Sequence, residues 1–202
     1  MNQNSDHSWK KLTSTVGLIT NLDQRGVNVM SAEWSYFVNK NPLYVSVVLS
    51  PQADTRAALE SSGESGLTLR SAGQAALVDF AGSFSTAEVD KSAGELIDFG
   101  QPVTTATPWV QGGVPALECE LRQTVDLPGH RVYIAEAVAT HRPAEDCLPL
   151  VKHGGMFQTG DPAQRVSVVA AAPAGPHRDR PRRASVGGVR RLPRRFSPAD
   201  FW

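Results

Sequence analysis

Short runs of β-branched and aliphatic residues, closed on both sides by turn residues, constrain the fold of this chain most strongly. "STVGLIT" (14–20) and "LYVSVVLS" (43–50) are bounded by Asn, Asp, Gly and Pro, a pattern typical of β-strands. Apolar and polar residues alternate in "ALECELRQTV" (116–125), which predicts a strand with a buried face and a solvent-facing row that includes Glu118 and Glu120. The chain is therefore predicted to be mainly β.

A hairpin and two short helices extend this prediction. "DLPGH" (126–130) supplies a turn between the alternating strand and "RVYIAEAVATH" (131–141), so the two strands should form a hairpin. "ADTRAALESSG" (53–63), with Asp54 as candidate N-cap and Gly63 as stop, predicts one helix, and "STAEVDKSAGEL" (85–96) predicts another. We expect a mostly antiparallel β-barrel with a few short peripheral helices.

Charge divides the chain into two parts although the formal net charge is zero. Residues 166–202 contain eight Arg and two Asp, many Pro and Gly, and no apolar periodicity, whereas residues 1–165 are net acidic. This predicts a folded domain over 1–165 and a disordered tail over 166–202. An Arg-rich tail can hold nucleic acid or an anionic surface, but a solvated appendage is the favoured interpretation, and a terminus unrelated to the domain is a further alternative. We expect no nucleic-acid partner.

Several classes of protein lack their signatures in this sequence. No segment has the length and apolarity of a signal peptide or membrane helix, so we expect a cytoplasmic protein without membrane association. The two cysteines, Cys119 and Cys147, form neither a Cys-x-x-Cys pair nor a zinc-ligand spacing, so neither a disulfide scaffold nor a metal site is expected. The motifs of dinucleotide-binding folds, P-loops, zincins and α/β-hydrolases are absent as well.

The order of several segments resembles the flavin reductase-like family over residues 12–160. The segments that carry the resemblance are "GLITNLDQRG" (17–26), "NVMSAEW" (28–34), "NKNPLYVSVVLS" (39–50), "DTRAALESSGE" (54–64), "DFAGSFSTAEVDK" (79–91), "LPGHRVYIAEAV" (127–138) and "PLVKHGGMFQTG" (149–160). The resemblance implies an FMN-binding split β-barrel that dimerises around its cofactor. It also implies hydride transfer from NADH or NADPH to FMN.

The resemblance places the flavin ring against the segment 28–34. The residues it implies are Asn28, Val29, Met30, Ser31, Ala32 and Trp34. The isoalloxazine ring needs a flat apolar slot with polar partners along one edge, and a turn with small residues, a thioether and an indole can supply this slot. The alternative is that Met30 and Trp34 belong to the core and Asn28 is a turn residue.

The FMN phosphate is expected where backbone N–H groups converge at the start of the helix predicted over 53–63. The residues implied around it are Ser50, Thr55, Arg56, Ser83, Ser85 and Lys91. Asp54 complicates this site, because an N-cap carboxylate would occupy the same donors and repel a phosphate. A capped helix with a solvated Arg56 is the alternative, and Lys91 by itself is typical of an ordinary surface residue.

Hydride transfer to a flavin requires a well-placed donor rather than a general base. His130 matches the family's strand histidine and is the candidate catalytic residue, in contact with substrate or with the pyrophosphate of NADH or NADPH. The alternative is a turn histidine with local hydrogen bonds. The resemblance implies a homodimeric flavin reductase that passes electrons to oxygen, ferric complexes or a partner monooxygenase. A flavoprotein with a different electron source or acceptor, an FMN-binding electron carrier, and a non-enzymatic flavin-binding or interaction protein remain alternatives.

Overall fold

The computed structural model of the 202-residue chain describes residues 8–84, 89–91 and 96–160. The strands are β1 (Ser14–Thr15), β2 (Gly17–Asp23), β3 (Gly26–Ala32), β4 (Ser35–Lys40), β5 (Leu43–Leu49), β6 (Glu64–Leu69), β7 (Phe99–Gly100), β8 (Trp109–Val110), β9 (Ala116–Leu127), β10 (His130–His141), β11 (Leu150–Lys152) and β12 (Met156–Gln158). The helices are α1 (Thr55–Ser62), α2 (Ala75–Ser83) and the 3-10 turns Ser8–Lys11 and Ala72–Gln74. The predicted tail, 166–202, lies outside the described residues, as does most of the helix predicted over 85–96.

A seven-stranded sheet in the order β3-β2-β6-β9-β10-β5-β4 forms the body of the molecule, and all its neighbouring strands are antiparallel. One buried cluster contains residues from the whole width of the sheet. They include Ile19 and Ala32 near one edge, Leu117 in the central strand β9, and Val47 near the other edge. A flat sheet would keep these residues apart, so the sheet curls around one core, and β3 contacts β5. In the described part of the chain, the two edge strands β3 and β4 do not pair with each other, so the barrel stays open along this side. The predicted split barrel is confirmed.

The hairpin prediction is confirmed, but the predicted exposure of Glu118 is wrong. β9 and β10 pair from Leu127 opposite His130, which leaves a two-residue turn between them. The Glu118 side chain is fully buried, and it accepts hydrogen bonds from the backbone N–H groups of Val103 at 2.8 Å and Thr104 at 2.7 Å. The loop 101–107 covers this outer position of the strand. Alternation along β9 alone gives no sign of that cover.

The helix predicted from "ADTRAALESSG" is confirmed as α1, which ends at Gly63 with a φ of 70°. Asp54 occupies the N-cap position but makes no side-chain capping hydrogen bond. The sequence interpretation missed α2, which buries Val78 and Ala81 against the sheet. Neither α-helix in the described residues is long and apolar enough to cross a membrane.

The segment 28–34 is a strand and not the turn that we expected. Asn28 pairs with Asn21, and Ala32 pairs with Gly17, so most of the segment belongs to β3 and lies at one edge of the sheet. A turn with Asn41 and Pro42 joins β4 to β5, and the peptide bond between these two residues is cis. Because β3 is an edge strand, only one of its sides is covered by a neighbouring strand of the sheet.

Candidate functional site

Two adjoining cavities lie where the edge strand β3 meets α2 and the connection between β5 and α1. The wider cavity has a volume of about 620 Å³ and the narrower one about 340 Å³. Four residues line both cavities: Met30, Gln52, Ala53 and Gly82. The two spaces therefore form one continuous candidate site with two unequal ends.

The wider cavity has an aromatic wall. The predicted site residues in its lining are Met30, Ser31, Ala32, Trp34, Ser50 and His130. The ring centroids of Trp34 and His130 are 5.2 Å apart, and those of Trp34 and Trp9 are 6.0 Å apart in an edge-to-face arrangement. Aromatic rings and the thioether of Met30 form favourable contacts with a planar apolar ligand. This end of the site suits a flat ring system.

The narrower cavity is more polar and is lined by side chains from β3, α1 and α2. The predicted site residues in its lining are Asn28, Met30, Thr55, Ser83 and Lys91. Asn28 and Thr55 are both buried, and Asn28 Nδ2 donates a hydrogen bond to Thr55 Oγ1 at 3.0 Å. Because Thr55 Oγ1 is the acceptor in this bond, its own hydrogen can be donated to a ligand.

Lys91 is a buried cation in the wall of the narrower cavity. Its side chain is 4% exposed, and Nζ donates hydrogen bonds of 2.9 Å to the carbonyl oxygens of Val29 and Ala81. These bonds connect β3 to α2 and hold the ammonium group beside the cavity. An ammonium group in this position can attract an anionic ligand. The sequence around Lys91 is polar and gives no indication that this side chain is buried.

Three predicted site residues are not placed in the lining of either cavity. Val29 is fully buried in the cluster with Leu18 and Ala81, and its carbonyl rather than its side chain meets Lys91. Arg56 donates from Nε to the Tyr133 hydroxyl at 2.9 Å and pairs with Glu60 at 3.5 Å. Ser85 lies outside the described residues.

Asp54 lies in the lining of the narrower cavity. From the sequence we expected the Asp54 carboxylate to occupy the N–H donors of the first turn of α1. It makes no capping hydrogen bond, so this expectation is wrong. Its negative charge remains beside this end of the site. A phosphate there therefore depends on Lys91 to offset Asp54.

The sequence interpretation missed part of the lining. The missed residues are Trp9, Glu33, Val48, Leu49, Gln52, Ala53, Ala81, Gly82 and Phe84. Gln52 and Ala53 lie between Ser50 and Thr55 in the sequence. Their position between two predicted site residues could have indicated that they line the site. Trp9 comes from the turn Ser8–Lys11, which is distant in sequence from the other lining residues, and no local pattern indicates its position.

The fold and the two adjoining cavities define a split-barrel protein with one candidate site that has an aromatic end and a polar end. Residues 9–161 match the flavin reductase like domain, and the chain belongs to this family. No curated protein matches the chain.

Solved structures share the fold at low sequence identity. The flavoredoxin from Methanosarcina acetivorans aligns with a TM-score of 0.71 and 20% identity over 85% of this chain and 97% of that chain. The NADH:FAD oxidoreductase of Streptomyces globisporus C-1027 gives 0.69 and 16%, over 80% and 98% of the two chains. The styrene monooxygenase flavin reductase from Pseudomonas putida S12 gives 0.68 and 20%, over 77% and 97%.

Proposed function

We propose that this protein is a flavin reductase that binds FMN and transfers hydride to it from NADH or NADPH. The observation that carries the proposal is the contrast between the two ends of the site, a wide aromatic cavity and a narrow polar cavity with the buried ammonium group of Lys91. FMN has the same contrast, a planar ring at one end and a phosphate at the other. Membership of the flavin reductase like family supports the proposal.

The residues present fit FMN in this orientation. Met30, Ser31 and Trp34 would hold the ring in the wider cavity, with Ala32 and Ser50 beside them. Thr55, Ser83 and Lys91 would hold the phosphate in the narrower cavity, where the N–H groups of the first turn of α1 add favourable dipoles. When bound, the flavin supplies the hydride-accepting chemistry.

The protein's own part in this reaction is to hold two ligands in contact and keep water out. Hydride transfer removes no proton from the donor carbon, so His130 is not needed as a base. The ring of His130 packs 5.2 Å from Trp34 and lines the wider cavity. We assign it the task of contacting and orienting the hydride donor, as the strand histidine of the resemblance implies.

The proposal is tested by the absorption spectrum of the purified protein and by anaerobic reduction. We expect visible flavin bands and their bleaching when NADH or NADPH is added. Release of the flavin and its chromatographic identification distinguish FMN from FAD. A protein that shows no flavin bands, even after FMN is added and the unbound flavin is removed by gel filtration, would contradict the proposed function.

A second candidate is an FMN-binding electron carrier, which the likeness to a flavoredoxin favours. It predicts flavin bands that neither NADH nor NADPH bleaches. For a reductase, electron transfer to a partner monooxygenase is the favoured outlet, because one similar structure is the reductase component of a styrene monooxygenase. Oxygen and ferric complexes are the other acceptors that we propose to test.

The first prediction concerns the ring end of the site. Ala32 is 3% exposed and belongs to the core, so a large residue there would damage the fold, whereas Ser31 is only partly buried and lines the wider cavity. We expect Ser31→Phe to weaken FMN and riboflavin alike, by roughly tenfold or more, because the phenyl group would intrude into the ring cavity. Flavin-fluorescence titration measures both affinities.

The matched control for this prediction is Ser61→Phe, at an exposed position of α1 that lines neither cavity. It should leave both affinities unchanged. If Ser31→Phe also leaves both flavins bound as before, the ring does not occupy the wider cavity.

The second prediction is a homodimer. β4 is an edge strand, and its side chains Tyr36, Phe37 and Val38 are 40%, 48% and 53% exposed. Three consecutive exposed apolar residues on a sheet edge favour an interface with a second copy of the chain. We expect light scattering to give the mass of a dimer and Phe37→Glu to give a monomer.

The control for the dimer is Val103→Glu, which places a charge at an exposed apolar position, 75% exposed, in the loop 101–107. This variant should remain dimeric. A monomeric wild-type protein that still binds FMN tightly would contradict the prediction, and a dimer that survives Phe37→Glu would place the interface elsewhere.

A further inference from the structure

A polar cluster that lines neither cavity joins α1 to the strand β10. Arg56 and Glu60, four residues apart on α1, form an ion pair at 3.5 Å. The Tyr133 hydroxyl of β10 accepts a hydrogen bond from Arg56 Nε at 2.9 Å and donates one to Glu60 Oε1. Arg131, also on β10, donates to the same oxygen of Glu60 at 2.8 Å. Two side chains of one strand therefore hold one face of α1.

The buried ring of Tyr133 fixes the position of this hydroxyl. Only 2% of the residue is exposed, and it belongs to the core cluster that also contains Leu59 of α1 and Val47 of β5. Burial raises the pKa of the hydroxyl group, and the hydrogen bond to Glu60 raises it further, so the group stays protonated at neutral pH. A close-packed core allows such a ring little movement. The hydroxyl is therefore a fixed point against which α1 is held.

Arg56 lies next to the groups that would bind the flavin phosphate. It follows Thr55 directly, and its backbone N–H donates to the carbonyl oxygen of Ala53 at 3.0 Å. Thr55 and Ala53 line the narrower cavity. Arg56 and Tyr133 line neither cavity. A displacement of Arg56 would therefore move the Thr55 hydroxyl relative to Lys91, which lies in the wall of the same cavity.

We propose that Tyr133 is a positioning residue for the flavin phosphate and acts through Arg56. The inference rests on the proposed function and adds to it a residue outside the site. The Tyr133 hydroxyl holds the Arg56 side chain, and Arg56 holds the first turn of α1 so that the Thr55 hydroxyl and the N–H groups face the phosphate. Hydrogen bonds to a phosphate depend on the direction of each donor, so a small displacement of this turn weakens them.

A direct contact of Arg56 with the phosphate is the competing assignment. The Arg56 side chain already has two partners, the Tyr133 hydroxyl and the Glu60 carboxylate. The negative charge of Glu60 offsets the positive charge of Arg56 and leaves less of it for a ligand. The two assignments differ in what they predict for Tyr133, whose hydroxyl influences FMN binding only if it acts through α1.

The first experiment removes only the hydroxyl group. We expect Tyr133→Phe to weaken FMN binding by roughly five- to tenfold and to leave riboflavin binding unchanged, because riboflavin has no phosphate. The variant keeps the buried ring, and the freed groups of Arg56 and Glu60 are partly exposed and can bind water, so the fold should survive. Flavin-fluorescence titration measures both affinities. Tyr44→Phe, at a partly buried position of β5 that lines neither cavity, is the matched control and should change neither.

A double-mutant cycle tests the path through Arg56. We expect Arg56→Met to weaken FMN by a similar factor. Tyr133→Phe should then cause no further loss in the Arg56→Met protein, because its effect passes through the side chain that is missing. Arg122→Met, at an exposed position of β9 in ion pairs with Glu120 and Glu136, is the control for the loss of a paired arginine. It should leave both flavins bound as before.

Phosphorus NMR of the FMN-loaded protein gives a measurement that does not depend on turnover. We expect the resonance of the bound phosphate to shift in Tyr133→Phe while the visible spectrum of the bound flavin stays the same. A hydroxyl that serves only the stability of the domain would leave the phosphate resonance at its wild-type position, and this result would overturn the inference.

The titrations can overturn it in other ways. Equal losses of FMN and riboflavin affinity would give Tyr133 a general structural role. A loss of FMN affinity in Arg56→Met but not in Tyr133→Phe would assign Arg56 to direct contact with the phosphate, and additive losses in the double variant would show that the two residues act independently.

Failure of the proposed function looks different from failure of this inference. The proposed function fails if the wild-type protein binds no FMN, in which case the inference falls with it, or if NADH and NADPH do not reduce the bound FMN. The inference alone fails if the wild-type protein binds FMN and is reduced, while Tyr133→Phe binds FMN as tightly as the wild type.

Discussion

Replacement of Lys91 by methionine is expected to weaken FMN binding by roughly 10- to 100-fold and riboflavin binding far less. Riboflavin carries the same ring as FMN but has no phosphate. A charge-assisted contact of an ammonium group with a phosphate contributes about 1.5 to 3 kcal/mol, and Lys91 lies in the wall of the polar cavity that we assign to the phosphate. Flavin-fluorescence titration with each ligand measures the difference.

The comparison between the two ligands also separates binding from structure. Lys91 Nζ donates to the carbonyl oxygens of Val29 and Ala81, and the methionine variant leaves these two buried acceptors without this donor, which costs stability. A structural loss of this kind would weaken both ligands equally, whereas loss of a phosphate contact weakens only FMN. Lys11→Met, at an exposed position that lines neither cavity, is the control. Equal losses for both ligands would move the phosphate away from Lys91.

The parts of the site that were predictable from the sequence are those carried by one continuous segment. Ser31, Trp34 and Thr55 line the cavities, and each lies in one of the segments that carry the resemblance to the flavin reductase-like family. Patterns of strand and helix residues also gave the barrel and α1. These features depend on local preference and on order along the chain, which a single sequence contains.

The parts that were not predictable depend on contacts between distant segments. Arg56 was assigned to the phosphate, but a tyrosine of β10, Tyr133, accepts its hydrogen bond. Trp9 is brought to the cavity by a turn far from the other lining residues in the sequence. The length and composition of a segment do not specify which remote side chain will meet it, so a single sequence gives no warning of either result.

The burial of Glu118 is the clearest example of a contact between distant segments that the sequence does not predict. It has a measurable consequence for the stability of the domain. Burial alone would raise the pKa of the carboxyl group, but hydrogen bonds from the N–H groups of Thr105, Val103 and Thr104 and from His141 outweigh it and lower the pKa from 4.5 to about 2. His141 Nε2 lies 2.7 Å from Glu118 Oε1, and the His141 ring stacks on Trp109. The ionised carboxylate therefore fixes the loop 101–107 to β9.

We expect Glu118→Ala to lower the free energy of unfolding by an amount of the order of 3 kcal/mol, because the N–H groups of Val103, Thr104 and Thr105 lose their acceptor. The folded carboxyl group has the lower pKa, so its contribution is fully present above about pH 4.5 and is lost as the pH falls towards 2. The stability difference between the wild type and Glu118→Gln should therefore be constant at neutral pH and shrink in acid. Urea unfolding at several pH values measures this difference, and Glu120→Gln, at a partly exposed position on the same strand, should show little change.

FMN affinity should survive in the folded variants, since the loop 101–107 lines neither cavity. A Glu118 variant as stable as the wild type at neutral pH would contradict the assigned role of this carboxylate.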